Sequence, residues 1–120
     1  NHLLAGGGVD EITVAVEAAR GKYHDICIEL EVDTLDQLEA YLPIPGIDVI
    51  LLDNMKPVML AQAVALRDER AATVKLEASG GVTLDTISGV AASGVDFVSV
   101  GALTHSVRAV DLSLDLQSNA

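Results

Sequence analysis

The chain has 120 residues, a length that fits one domain, and half of its residues are hydrophobic. Its formal charge of −11 argues against a nucleic-acid-binding protein, because contacts to phosphates need a basic face. No apolar run is long enough to span a membrane, and no segment resembles a signal peptide. With only two Tyr and one Phe, the core has to be aliphatic, which suits parallel strands covered by helices.

The single cysteine, Cys27, lies in an apolar run and has no partner for an internal disulfide. We therefore expect it to be a small buried core residue, and a reducing cytoplasmic setting fits. Asn1 is not a natural start, so we expect residues of a longer protein to precede it.

The first predicted element is a helix in which Val9, Ile12 and Val16 recur at helical spacing and which ends at Gly21. Three glycines at 6–8 precede it. Since no predicted strand leads into them, we expect a flexible loop rather than a nucleotide cradle.

Four apolar runs follow, and each ends in small or polar residues. They are ICIELEVD at 26–33, VILLDN at 49–54, VKLEASGG at 74–81 and FVSVGA at 97–102. Taking Glu31, Asp53, Glu77 and Gly101 as markers, the runs lie 22, 24 and 24 residues apart. A step of this size is typical of successive β/α units.

Helical patterns separate these runs. Thr34 with Gln37 three residues later forms a capping-box signature, and Pro57 is typical of a first helical position. The next helix is predicted to begin near Thr83 and to stop at Gly94. Helices that alternate with apolar strands predict a parallel sheet, either a barrel or a doubly wound sheet.

The two faces of the predicted strands differ. One face is aliphatic throughout, whereas the other becomes polar toward the strand ends, where Glu31, Asp53, Ser79 and Gly101 lie. A doubly wound sheet is apolar on both faces, but the inner face of a barrel can be polar at its carboxyl mouth. The pattern favours an α/β fold, a parallel (β/α) barrel segment that is part of an open TIM-like barrel. A half-open sheet with one solvated face is the alternative.

The strand ends carry the candidate chemistry. Glu31 and Asp53 can share a divalent metal such as Mg²⁺ or accept hydrogen bonds from sugar hydroxyls. Ser79, Gly80 and Gly81 precede a predicted helix and can approach a phosphate closely, although an ordinary turn also favours these residues. The run from Gly101 to Ser106 offers a second phosphate-binding turn, in which His105 is a better phosphate contact than base.

These strings together resemble the quinolinate phosphoribosyltransferases over essentially the whole chain. The resemblance rests on EVD at 31–33, LLDN at 51–54, LEASGGVT at 76–83, VSVGALTHS at 98–106, the opening Asn-His and the tail VDLSLDL at 110–116. It implies that residues 1–120 are the C-terminal barrel portion of an enzyme whose N-terminal domain and first barrel strands lie outside this chain.

The resemblance also implies an activity. Such enzymes join quinolinate to phosphoribosyl pyrophosphate with Mg²⁺ and release pyrophosphate and carbon dioxide, which forms nicotinate mononucleotide for NAD biosynthesis. They are cytoplasmic and act as homodimers or higher homo-oligomers. By position, Glu31 and Asp53 are the catalytic acids that bind ribose and metal. The phosphate-binding residues implied are Ser79, Gly80 and Gly81 in one turn, and Val100, Gly101, Ala102 and His105 in the other.

Two features depart from the family. Quinolinate is a dianion, yet only Lys56 and Arg108 are expected near the mouth, so the remaining basic residues have to come from elsewhere and the isolated chain should be inactive. Lys75 stands on the inner strand face, where it is expected to pair with Glu29 or Glu77 unless the strand register differs. The alternatives are a nicotinate-specific or molybdenum-transport-associated paralogue, and a non-catalytic half-barrel that only binds phosphate.

Overall fold

The computed structural model describes residues 2–5, 7–70, 72–99 and 106–110, and within them six strands form one sheet. The strands are β1 (His2–Ala5), β2 (Ile28–Val32), β3 (Val49–Asp53), β4 (Lys75–Ser79), β5 (Phe97–Ser99) and β6 (Ser106–Arg108). The helices are α1 (Val9–Lys22), α2 (Leu35–Tyr41), α3 (Pro57–Glu69) and α4 (Ile87–Ala92). None of the described helices combines the length and apolar character needed to cross a bilayer.

The strand order follows the chain, from β1 to β6, and β1 to β5 pair in parallel. Each parallel pair is joined through one helix. A sequential order without reversal is the winding of a (β/α) barrel, whereas a doubly wound sheet reverses its order at a switch point. The predicted barrel segment is therefore confirmed, and the described strands form an open sheet.

The four predicted strands are present, but β1 and β6 were not predicted. β1 pairs with β2 from His2 to Ala5, so the glycines at 6–8 do follow a strand. β6 runs antiparallel to β5, where Val98 pairs with Val107. Both strands are short. Neither follows a complete β/α unit, so the regular spacing that indicated the other strands does not extend to them.

Three of the predicted helix ends are confirmed. Thr34 and Gln37 form the capping box of α2, with Gln37 N–H donating to Thr34 Oγ1 at 3.1 Å. Pro57 is the first residue of α3, and Gly94 follows α4 with a φ of +98°. α1 runs one residue past Gly21.

The start of α4 was predicted too early. α4 begins at Ile87 rather than near Thr83. Thr83 and Thr86 form a separate turn, in which the Thr83 N–H donates to Thr86 Oγ1 at 3.0 Å and the Thr86 N–H donates to the Thr83 carbonyl at 3.1 Å. A threonine side chain that binds the backbone locally competes with the first helical turn.

The aliphatic strand face lies under the helices, as predicted. Its residues are at most 1% exposed: Ile28, Leu30, Val32, Ile50, Leu52, Leu76, Ala78 and Val98. Each of the Val, Leu and Ile side chains contributes roughly 1.5–3 kcal/mol on burial. The opposite face carries Glu29, Glu31, Leu51 and Asp53, which are half-buried. Cys27 was expected to be buried but is also half-buried, and partial burial raises the pKa of its thiol.

An ionic clamp joins α1 to the amino ends of β2 and β3. Asp48 immediately precedes β3 and accepts a hydrogen bond from the Ile28 N–H at 2.7 Å. Its carboxylate also pairs with Arg20 of α1, and Arg20 donates in addition to the Gly46 carbonyl at 2.7 Å. One carboxylate thus fixes a helix and two strands.

The same clamp recurs two strands later. Asp96 precedes β5, accepts from the Leu76 N–H at 2.9 Å and pairs with Arg67 of α3 at 2.5 Å. In both clamps the strand N–H comes from the residue 20 positions before the aspartate. Gly-Ile-Asp at 46–48 and Gly-Val-Asp at 94–96 therefore occupy equivalent positions before β3 and β5.

Removing the second clamp should destabilise the protein more than removing the first. The Asp96 side chain is 26% exposed, against 43% for Asp48, so water replaces its lost bonds less well. We expect Asp96→Ala to cost about 2–3 kcal/mol and Asp48→Ala about 1 kcal/mol in free energy of unfolding, measured by urea titration. An equal or larger loss of stability for Asp48→Ala would show that burial does not determine how much each clamp stabilises the protein.

Candidate functional site

The polar residues of the inner face gather toward the carboxyl edge of the sheet. Asp53 is the last residue of β3 and pairs in register with Ser79, the last residue of β4. Glu31 of β2 pairs with Leu51, two residues before Asp53. Glu31 therefore lies one inward-facing position deeper than Asp53, on the same face.

The Asp53 carboxylate lies close enough to Glu31 to act on its ionisation. Burial raises the pKa of Glu31 above its ordinary value, followed by the negative charge of Asp53 and the interaction with its side chain, and the charge of Asp33 adds to the effect. Two carboxylates this close repel each other unless a proton, a cation or hydroxyl donors lie between them. The predicted proximity of these two acids is confirmed.

Two neighbouring carboxylates are among the ligands that suit Mg²⁺, provided that other oxygen ligands complete its shell. Mg²⁺ typically takes one or two carboxylates from the protein and completes its shell with water and phosphate oxygens. Among the described residues, no group of three or more His, Cys, Asp or Glu side chains is arranged to hold a metal. Glu31 and Asp53 would therefore hold such an ion only together with the substrate's own oxygens.

The glycine turn, formed by Ser79, Gly80 and Gly81, packs directly on β3. Gly80 and Gly81 have φ of +72° and +68°, a conformation that other residues rarely adopt. A Cβ on Gly80 would lie 2.7 Å from Asp53 Oδ1, and one on Gly81 would lie 2.8 Å from Asn54 Oδ1. Glycine is therefore required for the turn to contact the aspartate.

Asn54 completes this contact, and the sequence interpretation had not assigned it a role. Its N–H donates to the Ser79 carbonyl at 2.8 Å, and its φ of 55° is the only positive value of a non-glycine residue among those described. Non-glycine residues in this conformation are uncommon, although Asn tolerates it best. Its place directly after Asp53 in the LLDN string was the available signal.

A cavity of about 260 Å³ adjoins the glycine turn. It lies between the starts of α3 and α4, and its lining includes Asn54, Lys56, Gly80, Gly81 and Thr86. Lys56, the residue before Pro57, was predicted to lie near the mouth, and its position in this lining confirms the prediction.

Arg108 was also predicted near the mouth, and this was wrong. It pairs with Phe97, the first residue of β5, and so lies at the amino edge of the sheet. The error follows from β6, whose antiparallel direction carries the chain back to that edge. A larger cavity of about 520 Å³ there is lined by Arg108, Lys75 and Asp96, far along the strands from the acids. Lys75 is exposed at the start of β4.

The second predicted phosphate turn lies outside the described residues. Val100, Gly101, Ala102 and His105 therefore stay predictions. The described residues that flank them, Ser99 and Ser106, pair with each other at the carboxyl end of β5.

The fold is that of a portion of a (β/α) barrel. Its polar residues lie at the carboxyl ends of the strands, which form the mouth of such a barrel. The family model for "Quinolinate phosphoribosyl transferase, C-terminal domain" matches residues 1–115, and the chain belongs to this family.

Several relatives match nearly the whole chain. A nicotinate-nucleotide pyrophosphorylase (carboxylating) of Mycobacterium leprae is 46% identical over 116 residues, which are 97% of this chain and 39% of that protein. The human protein of the same name is 38% identical, over 97% of this chain and 38% of its own length. The solved structure of the Francisella tularensis nicotinate-nucleotide pyrophosphorylase matches 89% of this chain and 37% of its own, with a TM-score of 0.70 and 31% identity. The chain thus spans about two-fifths of these relatives.

Gly80→Ala should destabilise the protein. The left-handed backbone costs an alanine about 1–2 kcal/mol, and its methyl group would collide with Asp53 Oδ1. Gly21→Ala is the matched control, because nothing lies within 4 Å of a Cβ at this helical position and the change should stabilise by about 0.5–1 kcal/mol. Thermal unfolding measures the effect of both substitutions. Wild-type stability in Gly80→Ala would contradict the contact.

Glu31→Gln should raise the melting temperature at pH 7 but not at pH 4. Since the pKa of Glu31 is raised in the folded state, folding favours its protonated form. This contribution is present below the ordinary pKa of 4.5 and is lost as the pH rises through the raised value. The neutral amide escapes that loss.

Glu17→Gln, which removes a carboxylate on the exposed face of α1, is the control for Glu31→Gln and should keep the melting temperature near the wild-type value at pH 7. A gain for Glu31→Gln that does not depend on pH, or a loss at pH 7, would argue against a destabilising carboxyl pair.

Proposed function

We propose that the protein to which this chain belongs transfers the phosphoribosyl group of phosphoribosyl pyrophosphate to quinolinate. The products are nicotinate mononucleotide, pyrophosphate and carbon dioxide, a step of NAD biosynthesis. The names of the relatives support this activity. The structural observation that carries it is the Glu31–Asp53 carboxyl pair in contact with the glycine turn, since a phosphorylated sugar needs both kinds of group.

The glycine turn is proposed to bind the substrate phosphate. Positive φ is readily adopted at Gly80 and Gly81, and because glycine has no side chain of its own, the backbone there can come close to an anion. Val100, Gly101, Ala102 and His105 are proposed to add a second set of donors. Two turns on neighbouring strands would hold the phosphate from two sides.

Glu31 and Asp53 are proposed to accept hydrogen bonds from the ribose hydroxyls. As pyrophosphate leaves, positive charge develops on the ribose ring, and two nearby carboxylates stabilise that charge electrostatically. The same two acids would hold a Mg²⁺ ion that binds with the substrate. This ion would neutralise negative charge on the leaving pyrophosphate. The quinolinate nitrogen then attacks the anomeric carbon, and the cationic ring of the adduct favours loss of carbon dioxide.

The basic residues that bind quinolinate are proposed to lie outside this chain. Quinolinate carries two negative charges, and the carboxyl edge described here is acidic, with Glu31, Asp33 and Asp53 near one another. We accordingly expect the isolated 120 residues to be inactive. The complete protein is proposed to be cytoplasmic and to form a homodimer or a higher homo-oligomer.

An assay of the complete gene product that carries this sequence tests the proposal. Product formation from phosphoribosyl pyrophosphate is compared with quinolinate, with nicotinate and with neither. We expect nicotinate mononucleotide from quinolinate, and a roughly hundredfold or greater loss in kcat/KM for Glu31→Gln and Asp53→Asn, as is typical when charge stabilisation is removed. Glu17→Gln should keep wild-type activity.

Two outcomes would overturn the assignment. A reaction with nicotinate instead of quinolinate would indicate a paralogue of different specificity. Binding of phosphoribosyl pyrophosphate without any reaction would indicate a phosphate-binding protein that is not an enzyme.

A further inference from the structure

The chain's seven Lys and Arg residues are unequally divided between the two ends of the sheet. Six lie toward the amino ends of the strands: Arg20 and Lys22 late in α1, Arg67 and Arg70 at the end of α3, Lys75 at the start of β4, and Arg108 opposite Phe97. Only Lys56 lies at the carboxyl end, where the candidate site is. Since all seven lie within the described ranges, this division holds for the whole sequence.

Three of the four arginines at the amino end have acidic partners. Arg20 pairs with Asp48, Arg67 with Asp96, and Arg70 with Glu39 at 2.7 Å. Their charges therefore stabilise the fold. None of them is directed to the opposite edge, where the acids and the glycine turn lie.

Lys56 occupies a different setting. It is exposed, it precedes the first residue of α3, and it lines the 260 Å³ cavity together with Gly80, Gly81 and Thr86. No ion pair joins it to a carboxylate of the described residues. The first turn of α3 also contains no acidic residue that would repel an anion.

A bound phosphate needs a nearby cation at this edge. Glu31, Asp33 and Asp53 give the mouth negative charge, and two glycine N–H groups alone offset little of the repulsion. Lys56 is the one Lys or Arg side chain of this chain that borders the glycine turn. A lysine at such a place acts as a point charge for phosphate.

We infer that Lys56 is a further substrate-binding residue, which donates to the sugar phosphate held at the glycine turn. The inference rests on the proposed function for the identity of the substrate, a phosphorylated ribose. It assigns the cation of the phosphate site to the residue that precedes α3, outside the two turns that the sequence had indicated.

The test uses the complete gene product with Lys56→Gln, Lys56→Arg and Lys22→Gln. Lys22→Gln is the matched control, because it removes the same charge at the opposite end, where Lys22 lies over the Tyr23 ring. For Lys56→Gln we expect the KM for phosphoribosyl pyrophosphate to rise roughly tenfold to a hundredfold, the range for a lost hydrogen bond between charged groups. The kcat and the KM for quinolinate should change much less. Lys56→Arg should restore most of the affinity, and Lys22→Gln should match wild type.

Calorimetric titration with ribose 5-phosphate gives a readout that does not depend on the reaction. Lys56→Gln should weaken this binding by a similar factor and make it less sensitive to salt, since one charge contact is gone. Equal KM and equal ribose 5-phosphate affinity in Lys56→Gln and Lys22→Gln would overturn the inference. If wild type forms no nicotinate mononucleotide, the proposed function fails, while the titration still decides the role of Lys56.

Discussion

The in-register pairing of Asp53 with Ser79 is the contact on which the candidate site depends. Parallel strands present their carboxyl ends at one edge, so this single register places a carboxylate beside the turn that leaves β4. The fit is close enough that a Cβ on Gly80 would lie 2.7 Å from Asp53 Oδ1. A shift of β3 against β4 by one residue would turn Asp53 toward the helices and separate it from the glycine turn.

The opposite edge holds this register in place. The clamps of Asp48 and Asp96 each bind a strand N–H and an arginine from a helix, and they lie at the amino ends of the strands. The stabilising ion pairs and the candidate site thereby lie at opposite ends of the strands, with paired charges at one end and two neighbouring carboxyl groups at the other. Burial and the Asp53 charge both raise the pKa of Glu31, because they disfavour its ionised form.

Much of this arrangement was predictable from the sequence because strand alternation and the regular β/α spacing are local signals. They correctly indicated the helix-covered face, the sequential parallel order and the proximity of Glu31 to Asp53. They did not reveal β6, which reverses direction, and so Arg108 was assigned to the wrong edge. They also missed the turn made by Thr83 and Thr86, where side-chain hydrogen bonds delay the start of α4. The role of Asn54 depends on contact between two strands, which no local pattern contains.

A crystal structure of the complete protein with phosphoribosyl pyrophosphate tests the central claim most directly. We expect the sugar phosphate against Gly80 and Gly81, and the ribose hydroxyls within hydrogen-bonding distance of Glu31 and Asp53. A ligand bound instead in the larger cavity beside Lys75 and Arg108, with the carboxyl pair unchanged, would contradict it.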